Sequence, residues 1–177
     1  FYENKPLFID LISLFYPLNT TILEDNKLYL NWDYLSRNKK IIWDSVKLQD
    51  FSFQLNWNIL SENLKIDWYT DFEKFISNWN FNVLSTNDSF TWNFSILEKY
   101  EAKWNFYNLT CNPAISIDYD FIEKFKRKLD FTYLSNSASL ILSIEFLNRY
   151  QEYWDWKELS NNKNISWSID LIETFKE

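Results

Sequence analysis

The chain has 177 residues, 46% of them hydrophobic, and 25 acidic against 18 basic residues give it a net charge of −7. This length and apolar content are enough for a sizeable core, and the negative charge argues against nucleic acid or an anionic membrane as a partner. The absence of His and Gly and the single Cys exclude zinc sites built from Cys and His, glycine-rich phosphate loops and an internal disulfide framework.

Residues 1–29 are predicted to form a degenerate repeat with an insertion. The spacing of Asn4, Leu7 and Asp10 matches part of the later repeats, and the segment from Asn19 to Leu30 matches another part. Asp10 and Asn19 then occupy the same position in the repeat. The residues between them, including Pro17, are therefore predicted to form an inserted loop.

From residue 30 onward the chain consists of tandem repeats, each marked by a Leu-Ser-x-Asn anchor or a close variant. The anchor leucines lie 24 or 25 residues apart: Leu35, Leu60, Leu84, Leu109, Leu134 and Leu159. Such a period is typical of solenoids. It predicts six repeats in one continuous array, part of a longer one, over residues 30–54, 55–78, 79–103, 104–128, 129–153 and 154–177.

We number the positions of a repeat so that the anchor leucine is position 6. All ten Trp residues then fall at positions 1, 3 or 14, where other repeats carry Leu, Phe or Ile. This exchange with aliphatic residues indicates core packing rather than platforms for sugars or bases. We expect the four tryptophans of the internal repeats that test this best to be mostly buried: Trp57, Trp79, Trp92 and Trp104.

Each repeat is predicted to contain one helix, one short helical turn and one short strand. Asp, Asn or Ser at position 15 is a good N-cap, and the apolar spacing that follows, as from Phe121 to Leu129, forms one face of a helix. Asn or Asp at position 2 is predicted to cap a short turn. The alternation at positions 12 to 14 is typical of a strand. Asn at position 9 is predicted to bond backbone groups of the next repeat.

The predicted fold class is therefore an α/β repeat solenoid with a helix and a short strand in each repeat. The alternative is an all-α superhelical solenoid in which positions 12 to 14 are only an extended linker. Paired strands would stack the position 12 residues Ile66, Phe90, Ile115 and Leu140 about 4.8 Å apart. A spacing of about 9–10 Å without backbone pairing would indicate the all-helical alternative.

The motif Trp-Asp-Trp-x-x-Leu-Ser-x-Asn at residues 154–162 resembles repeats of large bacterial and giant-virus proteins that have no assigned activity. The resemblance covers residues 30–177. It implies no activity, cofactor or ligand for this chain.

The sequence predicts no enzyme, no cofactor and no metal site. Nucleophile-and-base catalysis lacks a His, and most acidic residues fall at helix starts, where they serve as caps. No apolar run approaches the ~18 residues of a membrane span.

Positions 4, 5, 8, 10, 11 and 13 change character between repeats, which is typical of a solenoid that presents a variable surface on a constant frame. The leading hypothesis is a non-catalytic scaffold that binds a protein partner. The alternative is a structural spacer or fibre element of a larger surface or virion protein, and a third hypothesis is carbohydrate binding through exposed Trp.

The predicted partner-binding face depends on the predicted strands. A strand ladder on one side and wider helices on the other would curve the stack, with the strands inside. The position 13 residues Asp67, Thr91 and Ser116 would then line the concave face.

Overall fold

The computed structural model describes residues 5–137 and 143–175 of the chain. Asn4 and the segment around Leu140, both used in the sequence predictions, lie outside these ranges. Within them the chain forms short α-helices, which are α1 (Lys5–Phe15), α2 (Thr20–Asp25), α3 (Trp32–Arg37), α4 (Ser45–Asp50), α5 (Trp57–Leu60), α6 (Trp68–Asp71), α7 (Phe81–Leu84), α8 (Phe94–Lys99), α9 (Phe106–Cys111), α10 (Tyr119–Phe125), α11 (Phe131–Asn136), α12 (Ile144–Arg149), α13 (Trp156–Asn161) and α14 (Ile169–Thr174).

The helices alternate between two kinds. The odd-numbered helices from α3 onward begin at position 3 and carry the anchor leucine, and we call these and α1 the A helices. The even-numbered helices follow the linker at positions 9 to 14, and we call these the B helices. Each repeat is thus a pair of short helices.

The predicted α/β solenoid is wrong, and a helical repeat array fits instead. Among the described residues, the β-type pairing is limited to one isolated parallel bridge between Trp43 and Ile66, where the Trp43 N–H donates to the Lys65 carbonyl at 3.0 Å. In three other repeats the position 14 N–H turns back onto its own position 12 carbonyl: from Trp68 to Ile66 at 3.0 Å, from Trp92 to Phe90 at 2.9 Å and from Trp167 to Ile165 at 3.0 Å. A backbone N–H that donates within its own repeat cannot also donate to the next repeat, so these groups cannot extend a strand ladder.

The chain divides into two compact units, unit 1 (Phe1–Asn105) and unit 2 (Phe106–Glu177). In unit 1, α1 packs beside α3 and α3 beside α5. In unit 2, α9 packs beside α11 and α11 beside α13. The closest helix packing inside each unit therefore joins the A helices of successive repeats.

Side-chain caps begin both kinds of helix, as the sequence predicts. At position 2, Asn31, Asn56 and Asn80 in unit 1 and Asp130 and Asp155 in unit 2 each accept a hydrogen bond from the N–H three residues later. The position 15 residues that cap B helices in the same way are Asp44, Asn93, Asp118, Ser143 and Ser168. Such caps satisfy backbone donors that a short helix leaves free, which matters most for helices of four to seven residues.

A buried hydroxyl at position 7 ties each repeat to the next. In unit 1, the Oγ atoms of Ser36 and Ser61 accept the backbone N–H of Asn56 and Asn80, each at 3.0 Å, and donate to carbonyls of their own A helices. In unit 2, Ser135 accepts the N–H of Asp155 at 3.0 Å. Each hydroxyl bridges two backbone groups, so a small hydroxyl side chain specifies the frame at these junctions.

Asn at position 9 forms a second ladder, directed toward the preceding repeat rather than the next one as predicted. Its Nδ2 donates to the position 7 carbonyl of the preceding repeat at 2.8 Å, as from Asn63 to Ser36 and from Asn162 to Ser135. Its Oδ1 accepts the N–H two residues later, as from Lys65. Asn63 and Asn162 are both buried. Their hydrogen bonds therefore satisfy backbone carbonyls that water cannot reach.

Helix α1 runs through Asp10 to Phe15 and so occupies much of the segment in which the sequence predicts an inserted loop. Residues 16–19, which include Pro17, connect α1 to α2 and are not helical. Ser13 in α1 takes the position 7 role, since its buried Oγ accepts the N–H of Asn31 at 3.0 Å.

The tryptophans pack mainly in the core. Trp79 and Trp104 are buried, as predicted, while Trp57 and Trp92 are half-buried. Trp156 has the greatest exposure of the ten, 37%. The indole N–H groups of Trp57, Trp79 and Trp92 donate to backbone carbonyls at 2.9–3.0 Å. These indoles therefore hold the backbone, which is a structural role.

Candidate functional site

The predicted partner-binding face loses its geometric basis. Asp67, Thr91 and Ser116 are exposed, but they lie in linkers or at a helix start and not on a strand ladder. Asp67 caps α6 through the N–H of Thr70 and accepts the Thr70 hydroxyl at 2.9 Å. Asp67 and Thr91 belong to unit 1, whereas Ser116 belongs to unit 2. The concave strand face was predicted from paired strands, and that reasoning is overturned with them.

Other variable positions do share a surface. Positions 4 and 5 lie on the A helices, and position 8 lies in their last turn or, for Glu62 and Thr86, just past their C-terminal ends. Position 4 is exposed in all six repeats: Asp33, Asn58, Asn82, Tyr107, Thr132 and Lys157. We call the surface formed by positions 2, 4, 5 and 8 of the A helices the A-helix surface.

In unit 1, side-chain amides link the A-helix surfaces of successive repeats. The Nδ2 of Asn31 donates to Asp10 Oδ1, and the Nδ2 of Asn56 donates to Asp33 Oδ1, both at 2.8 Å. The same link joins position 2 to the preceding position 4 at the next two junctions: Asn80 to Asn58 and Asn105 to Asn82. An amide at position 2 thus performs two tasks, capping its own helix with the oxygen and reaching the preceding repeat with the nitrogen.

In unit 2 the amide link cannot form. Position 2 is Asp130 or Asp155, whose carboxylate has no N–H to donate, and the preceding position 4 is Tyr107 or Thr132 instead of Asn or Asp. Within residues 5–137 and 143–175, the hydroxyls of Tyr107 and Thr132 have no hydrogen-bond partner. The amide link that joins successive repeats in unit 1 is therefore missing in unit 2. A depression is not confined to unit 2, since one of about 490 Å³ lies beside Asp10 and Asn31 in unit 1.

An open depression of about 540 Å³ lies at this junction. Its walls come from α9, α11 and α13 and include Tyr107, Asp130, Thr132, Tyr133, Asn136 and Glu158. This volume is within the range of sites that bind small molecules or segments of a partner.

The depression combines negative charge with exposed aromatic rings. Asp130 and Glu158 contribute two carboxylates, and none of the described residues that line the site is Lys or Arg. Tyr107 is 63% exposed and Tyr133 is 44% exposed. One oxygen of Asp130 caps α11 by accepting the Tyr133 N–H at 3.1 Å, while no hydrogen bond to the other oxygen occurs in the described part of the chain.

The B helices carry a different charged feature, which is structural. In unit 2, Glu123 on α10 accepts hydrogen bonds from Lys126 at 2.9 Å and from the Tyr150 hydroxyl at 2.7 Å, and Arg149 lies 3.4 Å away. The Lys126 hydrogen bond and then the Tyr150 hydrogen bond lower the pKa of Glu123 to about 2. In unit 1, Glu73 likewise accepts hydrogen bonds from a tyrosine and a cation of the next repeat, Tyr100 at 3.1 Å and Lys99 at 2.6 Å. The cluster joins successive B helices.

Asp71 is the one acidic residue buried among the described residues, and the sequence did not single it out. It is 1% exposed, accepts a very short hydrogen bond from the Ser45 hydroxyl, and its Oδ2 has no partner. Burial raises the pKa of the Asp71 carboxyl. The signal in the sequence is the 24-residue length of this repeat: α6 begins at position 14, earlier than the other B helices, and this draws Asp71 inward. Because Asp71 is closed off from solvent, it offers no site for a substrate.

The described part of the chain has no helix with both the length and the apolar character that crossing a bilayer requires. Residues 5–137 and 143–175 also hold no group of three or more potential metal ligands. The fold and the A-helix surface define a helical tandem-repeat protein. Comparisons with protein families, with curated proteins and with solved structures find no match for the chain.

Proposed function

We propose that the chain is a non-catalytic scaffold that binds a protein partner on its A-helix surface. The observation that carries this proposal is the depression of unit 2, which is built from variable positions on a frame of repeated Ser and Asn ladders. A constant frame with variable exposed positions is how repeat proteins acquire different partners.

The alternative, a structural spacer, is supported by unit 1. There the amide links join successive A helices at four junctions and stiffen the array, although a depression of about 490 Å³ still lies beside the linked pair Asp10 and Asn31. The two functions are compatible if unit 2 binds and unit 1 extends. Carbohydrate binding has less support, since seven of the ten indole N–H groups donate to backbone carbonyls and the other three, in Trp43, Trp68 and Trp167, are buried.

Selection from a displayed peptide library against the full chain tests the scaffold proposal. Two matched variants add one arginine to unit 2, Thr132→Arg on the A-helix surface and Asn148→Arg at an exposed position of the B helix α12. We expect selected peptides to lose at least about tenfold in affinity to T132R, because the added side chain fills the depression, and to bind N148R normally. Peptides that are insensitive to T132R, or a library that yields no binders, would contradict a binding role for this surface.

A further inference from the structure

We propose that the depression of unit 2 binds the guanidinium group of an arginine in a partner protein. This inference rests on the proposed scaffold function and names the chemistry of the partner.

The first argument is the composition of the walls. Asp130 and Glu158 supply carboxylate oxygens, and Tyr107 and Tyr133 supply exposed ring faces. A guanidinium is the side-chain group that matches both, because it pairs with carboxylates through a planar fork of N–H donors and stacks on aromatic rings. A lysine ammonium pairs as a point charge and has no planar face for stacking. Lys157 occupies position 4 of α13 but does not line the depression, so no cation of the walls neutralises the two carboxylates.

The second argument is that the carboxylate at position 2 is not needed for the fold. Asn caps the A helix at Asn31, Asn56 and Asn80 with N–H to oxygen distances of 3.2–3.3 Å, as Asp130 does at 3.1 Å. Capping uses one oxygen, which both residues have. Asp in place of Asn at position 2 therefore keeps the helix cap. It removes the hydrogen bond to the preceding repeat and adds a negative charge at the junction between the two repeats.

The third argument is size. The depression, at about 540 Å³, exceeds what a single side chain fills, so that residues on either side of the arginine would also contact the A-helix surface. Thr132 and Asn136, which have hydroxyl and amide groups on the same wall, can hydrogen-bond the backbone of an extended segment. The partner is thus a protein segment with an exposed arginine rather than a free cation.

Backbone NMR titration of the full chain tests this inference with three blocked tripeptides, in which leucines flank arginine, lysine or citrulline. Citrulline has nearly the shape of arginine without its charge. We expect the arginine peptide to shift amide signals of α9, α11 and α13, and to bind at least about tenfold more tightly than the citrulline peptide, the difference that one charge-assisted pair contributes. The lysine peptide should bind with intermediate affinity.

Two variants use residues already present in unit 1. Asp130→Asn retains the cap, and Tyr107→Asn combined with Asp130→Asn recreates the amide link seen between Asn105 and Asn82. We expect D130N to weaken binding of the arginine peptide about tenfold and the double variant to abolish it. Unchanged thermal unfolding would show that both variants fold.

Equal affinity of the arginine and citrulline peptides, signal shifts outside α9, α11 and α13, or full binding by folded D130N would overturn the inference. The scaffold proposal fails on a different result. If library peptides that lack arginine are selected and lose affinity to T132R, the A-helix surface binds a partner and only the arginine preference is wrong.

Discussion

At the scale of single residues, burial and hydrogen bonding decide what each polar side chain does. Asp71 and the position 7 serines are both buried, yet their situations are opposite. Ser61 donates one hydrogen bond and accepts another, so its polar atom is satisfied. Asp71 has one bonded oxygen and one without a partner. Ser61 therefore stabilises the folded state, whereas the charged Asp71 destabilises it at neutral pH.

Asp71→Asn is expected to stabilise the protein at pH 7 by roughly 1 kcal/mol, because it removes a buried charge and keeps the acceptor for Ser45. The sign follows from the raised pKa of Asp71. The folded state holds this proton more tightly than the unfolded state, so its contribution to stability is present at low pH and is lost as pH rises through the folded-state pKa. The stability of D71N should not fall in this way as pH rises, because the Asn side chain does not ionise.

Urea unfolding followed by tryptophan fluorescence at several pH values between 4 and 7 measures the difference. Asp88→Asn is the matched control, since Asp88 is an exposed acidic residue of unit 1 that does not contribute to the raised pKa of Asp71. If D71N were less stable than the wild type at pH 7, the carboxylate would have a buried partner and our interpretation would be wrong.

Ser61→Ala is expected to destabilise the protein by about 1–3 kcal/mol, because it leaves the N–H of Asn80 without its acceptor at a repeat junction. Ser61→Thr should retain most of the stability, since Thr110 fills the same position in unit 2 and accepts the N–H of Asp130 at 3.2 Å. Urea unfolding of both variants tests this. Equal stability of S61A and S61T would show that the methylene packing, and not the hydroxyl, holds the junction.

At the scale of elements, A helices are tied by buried neutral hydrogen bonds and B helices by exposed charges. The Ser and Asn ladders between A helices are closed to solvent. The Glu123 cluster between B helices is half-exposed and is therefore sensitive to salt and acid.

Glu123→Gln is expected to flatten the acid dependence of unfolding. Because the pKa of Glu123 is lowered to about 2, the wild type gains stability from this group above its unfolded-state pKa and loses it as pH falls toward 2. E123Q has no such loss, and 1 M NaCl should narrow the gap between the two proteins by screening the exposed charges. Glu145→Gln, at an exposed position of α12, is the control. Parallel stability curves for wild type and E123Q between pH 2 and 5 would refute the role of the cluster.

Sequence patterns predicted the helix caps correctly because capping is local. Asp118 and Phe121, for example, are three residues apart in the chain and in the structure. The strands were predicted wrongly because alternation at positions 12 to 14 does not say where the backbone N–H points. In Trp68 and Trp92 it points to the residue two places earlier.

The depression could not be predicted from the sequence for a related reason. Asn and Asp at position 2 are equivalent as helix caps, so the local pattern does not distinguish them. Their difference matters only through contact with position 4 of the preceding repeat, as between Asn56 and Asp33. A pairwise comparison would have shown the signal: Asp130 and Asp155 follow repeats with Tyr107 and Thr132, whereas every position 2 Asn follows an acidic or amide residue.

At the scale of the whole molecule, one frame is used in both compact units. The position 7 hydroxyl and the position 9 amide recur in unit 1 and in unit 2 with nearly the same distances. The units differ in what their A-helix surfaces display. The net charge of −7 would also favour the approach of a cationic partner.

The double role of the position 2 amide has a consequence for how such arrays change over generations. Asn and Asp codons differ by a single nucleotide, and both residues cap the A helix. One point mutation can therefore remove the amide link between two repeats while the helices keep their caps. A second mutation, at position 4 of the preceding repeat, can place a new side chain at that junction. Substituting Tyr for Asn58 and Asp for Asn80 would remove one amide link of unit 1 and place a ring and a carboxylate at that junction. A protein built this way could acquire recognition sites one junction at a time, without remaking its core.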